Sequence, residues 1–225
     1  MESPDGQKAR SLTTQTSLME AAEKLIAKNG IENVSIKQIV REAGQKNESA
    51  LQYHFKNLKG LISAINFRRN EQTQVKREEL IAELDSANTQ PALRDLCRLM
   101  IMPTYLLAKA DAKYRRHIIG FSHTIALAEE SALVKVSSHG GGGKSGVRTG
   151  ELLRAALPHL DEATYRQRME FAVRMTSATM GHHARQKNAF KGTAADLFVS
   201  QLIDALEGLL SAPVSRETKA NSKAS

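Results

Sequence analysis

The chain has no tryptophan, a single cysteine and only 4% aromatic residues over 225 positions. One thiol, Cys97, excludes an intrachain disulfide framework and fits a reducing compartment, so a cytoplasmic location is expected. Its neighbours Leu93, Leu96, Leu99 and Met100 mark it as a buried structural thiol rather than a redox sensor. With so few aromatics the core must be mainly aliphatic. No apolar run approaches the ~18 residues of a membrane-spanning helix. Residues 1–15 are polar where a signal peptide would be apolar. No membrane partner is expected, and neither strand alternation nor an internal repeat is visible. At 41% hydrophobic the chain lies slightly below the roughly 45–50% of globular proteins. It is still long enough for one large domain or two modest ones.

Charge is the first positive feature. The formal net charge is +8. Residues 1–70 hold 11 Lys/Arg against 7 Asp/Glu, so half of the excess lies in the first third of the chain. A basic face attracts phosphate backbones by releasing their counterions.

Helical periodicity organises the remainder. Residues 1–12 lack it and read as a mobile arm. A helix is predicted over 13–29, with Leu18, Ala21, Ala22, Leu25 and Ile26 on one buried stripe and Asn29-Gly30 as its stop. Ser35 suits the N-cap of a helix over 36–42, whose Ile36, Ile39 and Val40 turn to the same core. A third helix over 47–55 buries Leu51 and Phe55. A longer one runs from 58 to about 84, strongly polar between 66 and 77. Pro91 suits the first turn of the next helix, and Pro103 inside it should kink or split it. One or two helices span 113–136. Six glycines among the fourteen residues 137–150 predict a surface loop. Two last helices cover 161–186 and 193–211. The second is apolar over so wide an arc that it needs cover from two directions, one the chain's own core and the other a partner subunit. Phe198, Leu202, Leu206 and Leu209 are the candidate dimer contacts, and residues 213–225 read as a disordered polar tail.

The most informative stretch is 35–61, SIKQIVREAGQKNESALQYHFKNLKGL. It reads as a short helix, a tight turn at Ala43-Gly44, a second short helix and a further helix start. That is a helix-turn-helix, which lays its second helix in the DNA major groove. Gln45, Lys46, Asn47, Ser49 and Gln52 are candidates for contacts in the groove. Gln52 can pair bidentately with adenine, and Lys46 can reach guanine or a phosphate. Tyr53, His54, Lys56 and Lys59 suit phosphates, which fix register without reading sequence. Ser35 and Lys37 sit where backbone amides and the helix dipole favour phosphate. The competing reading is a three-helix unit inside a helical enzyme or small-molecule binding protein without DNA binding.

Residues 16–61, with AAEKLIAKNG, then SIKQIVREAG, then LQYHF followed by KNLKGL, resemble the N-terminal domain of the TetR family of transcription regulators. The resemblance implies an all-α fold, with a three-helix helix-turn-helix domain over 13–60 and a larger helical ligand-binding and dimerisation domain over 61–212. It implies a homodimer joined through the last two helices of each subunit, binding double-stranded palindromic DNA. It also implies a repressor released when a small-molecule effector respaces the two reading heads. Three positions depart from the family's usual pattern. The turn from Gly44 to Glu48 is one residue longer, Gln52 stands where a phosphate-contacting tyrosine is common, and Leu58 stands where a lysine often opens the fourth helix.

The remaining motifs carry little chemistry. The run from Gly140 to Ser145 invites a phosphate-loop reading, but the pattern puts Ser138 at its first glycine and no apolar strand precedes it. No two of the seven histidines stand three or four residues apart, the spacing that places metal ligands on one helix face. No metal, cofactor or catalytic set is expected. The candidate effector pocket comprises Cys97, Met100, Ile101 and Tyr105 from the segment around Pro103, with Phe121, Met169 and Val173 opposite. Methionines adapt to irregular ligands.

Overall fold

Apolar spacing along the first sixty-five residues closes a small aliphatic core. In the computed structural model, which describes residues 4–87, 89–138 and 142–222, α1 (Pro4–Asn29) contributes Leu18, Met19, Ala21, Ala22 and Ile26 to it. A single 3-10 turn (Ile31–Asn33) leads to α2 (Ile36–Glu42) and α3 (Ser49–Phe55), which add Ile39, Val40, Leu51 and Phe55. Leu61 and Ile65, from the first turns of α4 (Leu58–Ser86), close this head from below. Phe121, from α6 (Ala112–Ala126), reaches into the same cluster.

The second core is the body. It gathers α5 (Leu93–Ala110), α8 (Gly143–Ala156), α9 (Glu162–Ala184) and α10 (Gly192–Ser211) around the far part of α4 and the outer side of α6. A short α7 (Ala132–Ser138) lies against α6 and α9, and α11 (Arg216–Ser222) ends the described chain. The fold is all-α: eleven α-helices and no strand among the described residues. None of these helices alone is long and apolar enough to cross a membrane.

Four local expectations change. Residues 4–12, expected as an arm, are the opening turns of α1. Proline is favoured at the first helical position, and Gln7, Lys8, Ala9 and Arg10 are good helix formers. Pro103 does not split α5, which continues through it. Its missing N–H leaves the carbonyl of Leu99 free, and the Arg77 Nε donates to that oxygen at 3.2 Å. The glycine-rich loop is shorter than expected, because α8 already begins at Gly143 and includes Gly146 and Gly150. Ser145, Thr149 and Leu153 are buried at helical spacing there, so packing overrides weak propensity. Residues 139–141 of that stretch lie outside the described residues. The tail, expected to be disordered, carries α11, whose start is capped by Ser215 Oγ accepting from the Thr218 N–H at 3.1 Å. Cys97 is buried in the body, and burial pushes its thiol up to about 12, which removes thiolate reactivity.

Head and body meet at a buried charge. Glu23 of α1 is 1% exposed. Arg69 of α4 grips it with two hydrogen bonds, Nε to Oε1 and Nη2 to Oε2, both 2.7 Å. Arg68 Nη2 adds a third at 3.1 Å. On the other side Arg69 faces Asp111 at 3.7 Å and lies over the Tyr114 ring. Burial disfavours the charged guanidinium of Arg69, but the hydrogen bonds and charge of Glu23 outweigh it and the net shift is upward. His117 of α6 stacks on Phe121 and places Nδ1 3.7 Å from Glu23. Burial first, then the charges of Arg69 and Arg68, hold its imidazole down to about 3.

Two measurements test this junction. Glu23→Ala leaves buried guanidinium charge uncompensated, a loss of about 3–5 kcal/mol, which lowers the urea midpoint at unchanged m. An unshifted midpoint would show that the junction contributes nothing. His117 gives a pH signature. The unfolded chain takes a proton below about pH 6.5, whereas the folded chain refuses it down to about 3. The stability this group contributes is therefore full above pH 6.5 and is lost as pH falls toward 3. Between about pH 7.5 and about pH 5 the wild type should lose about 2 kcal/mol more than His117→Gln. Parallel stability curves would contradict the assignment.

Candidate functional site

Two regions hold the residues singled out by sequence: the exposed side of the head and a cavity in the body. In the head, Ser35 and Gln38 form a reciprocal capping box at the start of α2. The Ser35 hydroxyl therefore serves the helix, with Oγ accepting from the Gln38 N–H at 3.3 Å. Gly44 ends α2 with φ +69. Its N–H donates to the Arg41 carbonyl, and the next N–H, of Gln45, reaches back to the Val40 carbonyl at 2.9 Å. This pair of bonds is a Schellman stop, which favours glycine at that position. Asn47 Oδ1 then accepts from the Ser49 N–H at 3.1 Å and sets the start of α3.

Along α3 and its exit, Ser49, Gln52, Tyr53 and Lys56 recur at helical spacing and are all exposed, Tyr53 to 84%. Leu51 and Phe55 are buried beneath them. Lys37, Lys46, Asn47 and Lys59 are exposed, and Gln45 is half-buried. His54 is also half-buried, with its Nδ1 3.3 Å from the Gln15 Nε2, so it ties α3 to α1. Arg41, exposed in the last turn of α2, adds a cation outside the residues expected from the sequence. The far end of α3 is fixed by contact: a Cβ on Gly60 would lie 2.0 Å from the Phe55 carbonyl oxygen. Only glycine lets α4 start so close under α3.

The body holds a partly open cavity of about 540 Å³, within the range of small-molecule sites. Its two walls differ. One is a polar stripe on α4, Asn66, Asn70, Thr73, Gln74 and Arg77, recurring at helical spacing. The other is apolar, with Met100 and Ile101 from α5, Ile118 and Phe121 from α6, and Met169, Val173 and Met180 from α9. Tyr114 and His117 stand between the walls. The Tyr114 hydroxyl bonds Thr73 Oγ1 at 2.7 Å, and the Thr73 hydroxyl in turn donates to the Arg69 carbonyl. Burial raises the Tyr114 phenol, so it stays neutral. Five of the seven expected pocket residues line this space. Cys97 and Tyr105 do not: Cys97 is buried in the body core, and Tyr105 turns to α10, with its hydroxyl 3.1 Å from Asp196 and its ring on Phe190. The α4 stripe is absent from the expected set because a polar helical stripe reads, in sequence, as a solvated face.

The expected dimer contacts need a similar correction. Leu202 and Leu206 are 4% and 0% exposed within a single chain, and so belong to its own core. Phe198 is half-buried and stacks flat on His183 at 3.7 Å, and Leu209 is half-buried against the same core. The outward side of α10 instead presents Ala194, Leu197, Gln201, Ala205 and Gly208 at helical spacing, and α9 presents Phe171.

Comparison with known proteins converges on one family. Residues 18–65 match the family described as "Bacterial regulatory proteins, tetR family". No curated protein shows significant sequence similarity to the chain. Among solved structures, a TetR-family regulator from Rhodococcus sp. superposes with a TM-score of 0.55 at 15% identity, covering 88% of this chain and 99% of that one. GusR of Salmonella enterica gives 0.53 at 17% identity, covering 88% and 96%. A TetR-family regulator from Marinobacter aquaeolei VT8 gives 0.53 at 14% identity, covering 88% and 97%. Residues 18–65 therefore match the tetR-family regulatory model, and the chain has the all-helical fold seen in solved TetR-family structures.

Proposed function

We propose that this protein is a dimeric repressor that binds a palindromic operator through α3 and leaves it when a small-molecule effector fills the body cavity. The observation that carries the reading is the course of α4. Its first turn packs under the recognition helix through Gly60, and Arg77, about 25 Å further along the same helix, walls the cavity. Phe121 supports it, because one ring belongs both to the head core and to the cavity lining. A ligand in the cavity thus presses on two elements that also hold the head. It shifts the dimer between spacings only by its differential affinity for them.

In this reading Lys46, Asn47, Ser49 and Gln52 enter the major groove, with Gln52 facing an adenine and Gln45 bordering them. Tyr53, Lys37, Lys56 and Lys59 hold phosphates, with the α2 start at Ser35 and the half-buried His54 beside them. The partner subunit docks on the outward stripe of α10 around Leu197 and on Phe171 of α9, holding the two α3 helices about 34–36 Å apart.

Selection of bound duplexes from random sequence tests the DNA reading. Wild type should enrich a palindrome. Lys46→Ala/Tyr53→Phe should bind it more weakly, and Lys56→Ala/Lys59→Ala should make the salt slope shallower by about 0.9 for each phosphate no longer neutralised. No enrichment at low salt would refute it. The dimer is tested separately by Leu197→Asp/Phe171→Asp. Light scattering should report a monomer, and operator affinity should fall on the order of a hundredfold. A monomer that binds the operator as tightly as wild type would sink the mechanism.

A further inference from the structure

The cavity wall contains a charge that the fold does not use. Arg77 of α4 donates Nε to the Leu99 carbonyl at 3.2 Å and Nη1 to Ser145 Oγ at 3.4 Å. Both acceptors are neutral. A guanidinium carries five N–H donors, so three remain, one on Nη1 and two on Nη2. Among the described residues no aspartate or glutamate is in ion-pair contact with Arg77, in contrast to Arg69, which is gripped by Glu23. Burial holds its pKa below the ordinary arginine value, with no carboxylate opposing that shift.

An amide would satisfy Leu99 and Ser145 as well as a cation does. The charge therefore has no structural role there, while its desolvation is costly. The described lining of the cavity holds no acidic residue at all, but two arginines, Arg77 and Arg166. The same lining includes apolar, adaptable side chains, Met100, Ile118, Phe121, Met169 and Val173.

We infer that the cavity takes an amphipathic organic carboxylate, its carboxylate on the free edge of Arg77 and its apolar body against α6 and α9. The planar fork of arginine matches a carboxylate through two parallel hydrogen bonds. Tyr114, kept as a neutral phenol, adds no opposing charge beside it. The inference rests on reading this cavity as the effector site, and it names the ligand's class.

Calorimetric titration of the full chain with decanoate and phenylbutyrate, each beside its primary amide, tests it. At least one acid should bind about tenfold or more tightly than its amide. Arg77→Met should abolish that preference, and Arg77→Lys should keep part of it. If Arg77→Met does not fold, the acid–amide comparison in wild type and Arg77→Lys still decides. Equal binding of acid and amide, no binding of either acid, or a preference that survives Arg77→Met overturns the inference. Operator displacement, followed in the same titrations, separates it from the regulatory reading. An amide that displaces DNA as well as its acid overturns the carboxylate assignment and leaves the regulator intact. An acid held through Arg77 that leaves operator affinity unchanged supports the assignment and overturns effector release.

Discussion

The structure depends on the burial of Glu23. It lies on α1, which supplies much of the head core, yet its two oxygens are taken by arginines of α4, and His117 of α6 approaches it. A lone carboxylate so deep would be prohibitively costly. The bidentate Arg69 makes the burial tolerable, and Asp111 and the Tyr114 ring steady the outer side of that guanidinium. The geometry of such a group is narrow, because moving α1 by a fraction of an ångström breaks charge-assisted hydrogen bonds that water cannot replace. The head is thus held to the body at a buried polar junction, with the more exposed Glu20–Lys113 pair beside it, while aliphatic contacts elsewhere tolerate sliding. That asymmetry makes the junction a pivot.

Around this pivot α4 spans both halves of the molecule. At one end Gly60 admits the Phe55 carbonyl, Asn57 caps the helix and Leu61 and Ile65 fill the head core. Past the Glu23 junction the same helix turns polar and faces a cavity. Pro103 of α5, which contributes to the cavity lining through Met100, Ile101 and Thr104, completes the arrangement. By lacking an N–H it leaves the Leu99 carbonyl open, and Arg77 reaches across to it. The cavity therefore has a wall whose hydrogen bonds come from side chains rather than from a closed helix ladder. Such bonds re-form at lower cost than backbone ones when a ligand enters.

Much of the head is legible in the sequence. The N-cap at Ser35, the turn at Ala43-Gly44 and the buried Leu51 and Phe55 are local signals, carried by spacing and turn chemistry alone, whereas the reciprocal partner Gln38 emerges only in the structure. The failures have physical reasons. Residues 4–12 have no apolar stripe, and periodicity cannot detect a helix supported by propensity and a proline start. The glycines at 146 and 150 argue against a helix until Ser145, Thr149 and Leu153 are seen buried. On α10 nearly every face is apolar, so sequence cannot tell which leucines meet the chain's own core. Leu202 and Leu206, expected outward, point inward. The polar stripe on α4 is the most instructive case. Its spacing is plain, but polarity alone does not distinguish a solvated face from the wall of a cavity.

The same stripe shows how a body this apolar can discriminate between ligands. Methionine and valine walls admit many shapes, and each additional methylene contributes under about 1 kcal/mol. Shape alone would make a permissive site. In the proposed reading, discrimination comes instead from groups that are costly to leave unmatched: a half-buried cation on α4 without a carboxylate partner, and a phenol and a neutral imidazole on α6 whose pKa values burial has moved away from charge. His117 belongs to both networks, lining the cavity and standing 3.7 Å from Glu23. Through that ring the cavity wall abuts the buried Glu23 junction. Specificity and transmission would then reside in the same few polar atoms, with the surrounding aliphatic packing serving to keep water away from them.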